Sequence, residues 1–462
     1  MKNKSDTFFE RIKGKKILIQ GLGLNKGGIG IAAFFIKHGI PIKITDLKSE
    51  NELAPSIAEL ESLGGNVTYI LGKHNIEDFI EADIVVKGPA VSPENEYIKA
   101  AVDNGAQILS DLSIFMENCP TEKLFAVTGS KGKSTTASVL YSILSAYTTN
   151  CFLGGNISIS PLSFLDELNE ESLVVLELSS WQLRDLELAK AEVRFPYAIF
   201  TNLMHDHQNY YHSMEKYLAD KLIAAKYQHE GDLLLIPAKD AYIKKDLFCC
   251  GQRKYCFGEK SDGADIYFDN GIGYCRSVPL FKEEKIQVRG EHIRNNLLSA
   301  AALCHLALGL DEKTVSKGIE NFRGVPFRME KIREWNNVTF INDTTATIPE
   351  AAVCAVQSIE TESLVWIGGG TDKNLDFSCI KKIENIPRLI YLLKGTGTDK
   401  IKSVIARKDV IEVSSLEAVF ADMTAKLKSG DVVLLSPGCA SFGLFQNEFH
   451  RGRIFNECVG RL

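Results

Sequence analysis

Nowhere among the 462 residues is there an apolar run of the roughly 18 residues that a membrane-crossing helix requires. No membrane span is expected. The amino-terminal stretch MKNKSDTFFERIKGKK carries too many charges to hold a signal-peptide core, so the expected location is the cytoplasm. A basic excess is also missing. The 53 Lys and Arg stand against 59 Asp and Glu, a formal charge of −6, which argues against general nucleic-acid binding but leaves small anionic substrates compatible with local lysines. The 11 cysteines form no C-x-x-C pair and fall partly in apolar helix patterns, as at Cys304, so reduced thiols are expected. Adjacent Cys249 and Cys250, with Cys256, lack the histidine spacing of a metal site and read as an exposed edge-strand cluster. There is no repeat of fixed period and no low-complexity tract.

What is present is a soluble globular composition, 45% hydrophobic and 24% charged, in a chain too long for one core. Three α/β domains are expected, over residues 1–111, 112–324 and 325–462. The first opens with KKILIQGLGLNKGGIGIAAFFIKHG: a strand to Gln20, a glycine loop, and a helix to about Lys37. A second strand ends in KITD at Asp46, which is the Rossmann-like plan, and strands at 67–71, 83–87 and 107–109 complete about five. Asn25 and Lys26 interrupt the G-x-G-x-x-G spacing, so a dinucleotide is not required; any nucleotide diphosphate can use the loop amides.

The second domain contains LFAVTGSKGKSTT, residues 124–136, in which an apolar strand runs directly into a phosphate loop. Gly129 and Gly132 permit the tight turn, Ser130, Lys131 and Thr135 complete the loop, and a helix starting near Ser134 adds its positive end. Lys133 is expected to neutralise terminal phosphates, and the Ser134 hydroxyl is a magnesium ligand candidate. Val127 stands where the Walker pattern has glycine, so the loop is a shortened variant. SLVVLELSS, residues 172–180, and YAIFTNL, residues 197–203, are apolar strands ending in polar groups, where active groups cluster. Short strands and turns follow, then a helix through NNLLSAAALCHLALGL. The third domain alternates VTFIND, a helix from about Pro349, SLVWIGGG, RLIYLLKG, a helix and DVVLLSPGCAS, another open α/β sheet.

With the phosphate loop, ELSS, the HDH region, DKNLDF and LLSPGCAS in this order, the whole chain resembles the Mur ligase family. The short amino-terminal unit with GLG and Asp46 resembles the family's uridine-nucleotide type. The resemblance implies a Rossmann-like first domain for a UDP substrate, a central P-loop ATPase-type α/β domain, and a Rossmann-like third domain for an amino acid. It implies an ATP-dependent, ADP-forming amide ligase that adds D-glutamate to UDP-N-acetylmuramoyl-L-alanine in peptidoglycan biosynthesis. Two magnesium ions, small-molecule partners only, and a monomer are expected with it. A carboxylate is a poor acyl donor, so it is first phosphorylated by ATP and the amine then displaces phosphate; in-line transfer between polyanions calls for bridging cations.

The resemblance also assigns residues. Lys133, Glu177, His207, Lys221 and Arg328 take the catalytic positions. Glu177 matches the first magnesium ligand, with Ser134; a helix cap is the alternative. His207 matches the second magnesium site, with His205 replacing the usual acid, while zinc held by His205, His207 and His212, or a solvated loop, are rival readings. Lys221 matches a carbamylated position, although its residue pattern alone describes a snorkelling surface lysine. A carbamate turns that cation into an anion able to serve the second magnesium. Asn156 matches a contact to the muramoyl substrate, or is a turn asparagine. Asn296 matches an adenine contact, with Ile293 where a further asparagine is usual. Arg328 and Asp343 match positions that engage ATP phosphate and the closed site; Arg328 as an interdomain salt bridge is the alternative. Thr347, Lys373 and Ser441 match contacts to glutamate. Thr345 replaces a usual lysine and Glu448 a usual phenylalanine, which leaves D-glutamate, L-glutamate or another acceptor open. Leu24, Asn25, Asp46 and Lys48 are the expected uridine-diphosphate contacts, unless Asp46 only caps a turn. A nicotinamide-dependent dehydrogenase would explain GLG and Asp46 but not GSKGKST; a nucleotide-sensing protein would leave Glu177, His207 and Lys221 without a role.

Overall fold

A computed structural model describes residues 4–23, 26–88, 91–92, 94–157, 159–191, 193–204, 211, 213–243, 251–287, 291–359, 361, 363–372 and 375–462. The chain divides into two compact units, Met1–Phe322 and Arg323–Leu462, each treated by itself.

The first unit begins with five parallel strands: β1 Ile17–Gln20, β2 Ile42–Asp46, β3 Val67–Leu71, β4 Ile84–Lys87 and β5 Gln107–Leu109, in the order β3-β2-β1-β4-β5. Every residue of β1 and β4 is buried, as strands covered on both faces must be, which explains the unbroken apolar runs ILI and IVV. The order reverses between β1 and β4. At such a switch point the carboxyl ends of the strands diverge into a crevice, here bordered by Gln20 and Lys87.

A nine-stranded sheet follows: β6 Leu124–Thr128, β7 Cys151–Gly155, β8 Leu173–Glu177, β9 Tyr197–Phe200, β10 Leu233–Pro237, β11 Arg253–Phe257, β12 Ile266–Asp269, β13 Ile272–Cys275 and β14 Val278–Lys282. Its order is β14-β13-β12-β11-β10-β9-β6-β8-β7, parallel from β7 to β12 and closed by an antiparallel meander. Asn270 and Gly271, both at positive φ, form the two-residue hairpin turn between β12 and β13. β6 therefore lies between β8 and β9, which brings three strand ends together. β9 stops at Phe200, earlier than its apolar run suggested, because Thr201 and Asn202 bond to the phosphate loop. Cys256 corrects the edge-strand expectation: β11 pairs on both sides, and the residue is buried. Cys249 and Cys250 lie outside the described residues. Cys151, Cys275, Cys304, Cys354, Cys379 and Cys458 are free thiols, and burial pushes the Cys304 thiol well above its usual range.

The second unit is a six-stranded sheet of β15 Glu330–Trp335, β16 Val338–Asn342, β17 Leu364–Gly369, β18 Leu389–Leu393, β19 Ile411–Val413 and β20 Val432–Leu435. Its order is β15-β16-β20-β17-β18-β19, parallel except for β15. The sequence reading passed over β15 and β19, half-exposed edge strands with charged residues, and the helices Leu416–Met423 and Glu448–Gly460. Among the described residues no helix is long and apolar enough to cross a membrane.

Candidate active site

The phosphate loop leaves β6 with Gly129 at φ 137° and Gly132 at φ 83°. A Cβ on Gly129 would collide with Thr201 Oγ1, and one on Gly132 would stand 2.6 Å from Asn296 Oδ1. Both glycines are thus required by conformation and by space. The loop is clamped from the end of β9: Lys131 N donates to Asn202 Oδ1 at 2.9 Å, Asn202 Nδ2 and Thr201 Oγ1 donate to Lys131 O at 3.0 and 2.7 Å, and Ser130 N donates to Asn202 O at 2.8 Å. Ser130 is buried, Lys131 exposed. Lys133 opens the helix Lys133–Tyr147 and folds back, its Nζ donating to Ser130 O at 3.0 Å; half-buried Ser134 and Thr135 occupy the first turn. Amides held at a helix amino terminus form an anion cradle. Thr201 and Asn202 were not singled out from sequence, although a polar pair closing an apolar strand was the available signal.

Glu177 ends β8 beside this loop, in register with Val127 of β6. It is 1% exposed. Asn156 Nδ2 donates to Glu177 Oε1 at 2.9 Å, and Asn156 N donates to Glu177 O at 2.8 Å. Glu177 Oε2 is buried with no hydrogen-bond partner among the described residues. An orphaned buried carboxylate oxygen calls for a donor or a cation. Glu177 is not a helix cap: Ser179 caps the helix Ser180–Leu188 in a capping box with Gln182. Asn156 does sit in a turn and is exposed, with one amide hydrogen bond to Glu177.

Lys221 departs from the snorkelling pattern. It is 1% exposed, donates to Gly129 O at 2.8 Å, and lies 4.6 Å from the centre of the Tyr217 ring. The helix Met214–Lys226 turns Tyr217, Lys221, Ala224 and Ala225 inward at spacings of three and four, so the lysine rides on the buried face. His205, His207 and His212 lie outside the described residues. Among the described residues no group of three or more His, Cys, Asp or Glu is placed to hold a metal ion.

Asn296, on the helix Glu291–Leu308, packs against Gly132; Ile293 is buried on the same helix. In the amino-terminal crevice Asp46 is buried at the end of β2. Its Oδ2 accepts from Leu22 N and Gly23 N, both at 2.9 Å, and its Oδ1 accepts from Lys48 N at 2.9 Å. The carboxylate thus ties down the glycine loop through its backbone amides. The Lys48 side chain is exposed; Leu24 and Asn25 lie outside the described residues.

In the second unit Asp343 follows β16 and is buried, with Oδ2 accepting from Ser436 Oγ at 2.8 Å and Oδ1 from Met329 N at 3.1 Å. Burial pushes its carboxyl up to about 6 against these hydrogen bonds and the charge of Arg328. Arg328 is exposed between Phe327 and Met329, two non-glycine residues at φ 63° and 46°, a strained backbone of the kind found at functional sites. Its guanidinium lies within electrostatic reach of Asp343. Thr345 Oγ1 donates to Phe327 O at 3.0 Å, Thr347 is half-buried, and Ser441 is buried with an Oγ that has no partner among the described residues. Lys373 lies outside them. Glu448 is the first residue of its helix, where a negative charge suits the helix dipole, and its carbonyl accepts from Thr344 Oγ1 at 2.8 Å. Arg451, not foreseen from sequence, is fully buried and donates to Thr344 Oγ1, Thr344 O and Cys439 O at 3.0, 2.9 and 3.2 Å.

Residues 15–110 match the family described as "Mur ligase MurD-like, N-terminal domain", and residues 127–304 match "Mur ligase middle domain". The UDP-N-acetylmuramoylalanine--D-glutamate ligase of Borreliella afzelii (strain PKo) is 38% identical over 470 residues, covering 98% of this chain and 99% of that protein. The protein of the same name from Treponema pallidum (strain Nichols) is 32% identical, covering 97% and 98%. Among solved structures, the UDP-N-acetylmuramate-alanine ligase MurC of Thermotoga maritima superposes with a TM-score of 0.61 at 20% identity, over 97% of this chain and 99% of that one, a likeness of fold. Because the identity to the Borreliella protein runs the length of the chain, and the loop after β6 and the acid ending β8 fall inside the matched middle domain, the chain belongs to the Mur ligase family.

Proposed function

We propose that the protein joins the carboxyl group of UDP-N-acetylmuramoyl-L-alanine to the amine of D-glutamate while ATP is cleaved to ADP and phosphate. The observation that carries this reading is the meeting, at the ends of β6 and β8, of a phosphate loop, a buried glutamate with one unpartnered oxygen, and a buried lysine on the loop's own carbonyl. A simple nucleotide-binding site needs neither of the last two.

In this mechanism the amides of Gly129 to Thr135 cradle the phosphates, Lys133 offsets their charge, and Asn296 borders the base. The substrate carboxylate attacks the terminal phosphate to give an acyl phosphate, and the glutamate amine then displaces phosphate. Glu177 and Ser134 would hold one magnesium ion, and His207 with carbamylated Lys221 a second; bound there, the ions supply positive charge to the transferring phosphoryl oxygens. A carbamate retains an N–H, so Lys221 can keep its bond to Gly129 O after modification. Asn156 holds Glu177 in place and faces the muramoyl end. Arg328 and Asp343 serve the phosphate when the site closes.

Residues 1–111 hold the uridine nucleotide through Leu24, Asn25, Lys48 and the loop fixed by Asp46. Residues 112–324 hold ATP. Residues 325–462 hold the acceptor through Thr347, Lys373 and Ser441, and the whole acts as a cytoplasmic monomer. The deciding experiment measures phosphate release with ATP, UDP-N-acetylmuramoyl-L-alanine and a panel of amino acids that includes both glutamate enantiomers. Release that depends on both the nucleotide and D-glutamate is expected. Preference for L-glutamate would overturn the acceptor, and Thr345 and Glu448 make that arm worth running; hydride transfer without phosphate release would overturn the ligase.

A further inference from the structure

Lys87, the last residue of β4, borders the switch-point crevice yet is 1% exposed. Its ammonium donates to Asp185 Oδ1 at 2.6 Å, to Val91 O at 2.9 Å and to Gly88 O at 3.4 Å. Asp185 is also buried, and it belongs to the helix Ser180–Leu188 that begins three residues after Glu177. The preceding residue, Arg184, reaches Glu94 with the opposite polarity. One helix of the ATP-binding layer therefore grips the chain leaving β4 at two points, through a buried pair and an exposed pair of reversed sign. Asp111, at the start of the helix Asp111–Asn118, is buried within electrostatic reach of Lys87 and Asp185. Asp185 Oδ2 has no hydrogen-bond partner among the described residues.

The chemistry described above uses none of these groups. A buried ion pair adds little stability over an apolar pair of the same size; its best-attested use is to fix register. Register is what a long substrate needs here, since a nucleotide held at one sheet must deliver its far end to the phosphate loop of another, and small misplacements cost rate steeply.

We propose that Lys87 and Asp185 are positioning residues that lock the nucleotide crevice onto the helix following Glu177, so that the carboxylate of a uridine-nucleotide-linked substrate arrives in line with the phosphate loop. This rests on the functional reading above. The ATP site itself is built on β6, β8 and β9 and does not depend on the pair.

The test uses the full chain in three forms: the parent, the apolar double variant Lys87→Met with Asp185→Leu, which strands no buried charge, and the exchanged pair Lys87→Asp with Asp185→Lys. Thermal melting and ATP titration establish folding and an intact phosphate loop. In the apolar variant, kcat/KM for UDP-N-acetylmuramoyl-L-alanine should fall about tenfold to hundredfold while ATP affinity stays within about twofold, and the exchanged pair should recover part of the loss. A kcat/KM within about twofold of the parent, or a parallel loss of ATP affinity, would overturn the positioning role. If the parent itself fails to ligate, the functional reading falls; calorimetric binding of UDP-N-acetylmuramoyl-L-alanine to the same three proteins then decides the pair, equal affinities overturning it.

Discussion

The Lys221 ammonium donates to the Gly129 carbonyl at 2.8 Å, from the buried face of one helix to the first turn of the phosphate loop. A lysine so placed answers to changes in its own chemistry. Lys221→Arg keeps the charge and most of the bulk but cannot form a carbamate, so turnover should fall about hundredfold or more with the fold retained. Depleting carbon dioxide should inactivate the parent, and isotope-labelled bicarbonate should both restore activity and label this side chain. Full turnover by Lys221→Arg would end the carbamate reading.

Glu177→Gln preserves shape and can keep the contact with Asn156 Nδ2, but it removes the charge from the oxygen that has no partner among the described residues. Manganese binding, followed by paramagnetic resonance, should weaken while metal-free ATP binding persists. Turnover should fall on the order of a thousandfold. Unchanged manganese affinity would place the cation elsewhere.

Gly132→Ala combines a left-handed backbone at φ 83° with a Cβ 2.6 Å from Asn296 Oδ1. The conformational part alone costs about 1 to 2 kcal/mol, and the displaced Asn296 should weaken ATP binding further. Melting temperature and ATP affinity are expected to drop together. A variant that binds ATP as tightly as the parent would show that the loop can open without loss.

Burial raises the Asp343 carboxyl from the ordinary aspartate range up to about 6. The folded chain therefore holds this proton more tightly than the unfolded chain, and stability contributed here falls as pH rises from about 4 to about 6, then levels. The full change is on the order of 3 kcal/mol. Asp343→Asn cannot titrate, so denaturation midpoints of parent and variant should converge or cross over that window; parallel curves would mean that the carboxyl titrates normally.

Much of this was legible in the sequence because it rests on local pattern. The apolar runs ending in Gln20, Asp46 and Glu177 gave strand ends, and the glycines gave the turns that follow. Burial was harder to read. The pattern around Lys221 resembles any amphipathic helix, and only the packing of Tyr217 and Ala224 shows which face turns inward. The place of Asp46 at a strand end marks it as a candidate, but its hold on the Leu22 and Gly23 amides joins two separate loops and follows only from the fold. Arg451 and the Lys87–Asp185 pair were invisible for the same reason: each joins elements whose adjacency no window of sequence contains.

The order β9-β6-β8 has one more consequence. The clamp, the loop and the acid hang from neighbouring rungs of a single hydrogen-bonded ladder, while Thr345, Thr347, Ser441 and Glu448 belong to the other compact unit. On the proposed assignment, a substitution that changes the acceptor falls in one compact unit and leaves untouched the strands from which the loop, the clamp and the acid hang.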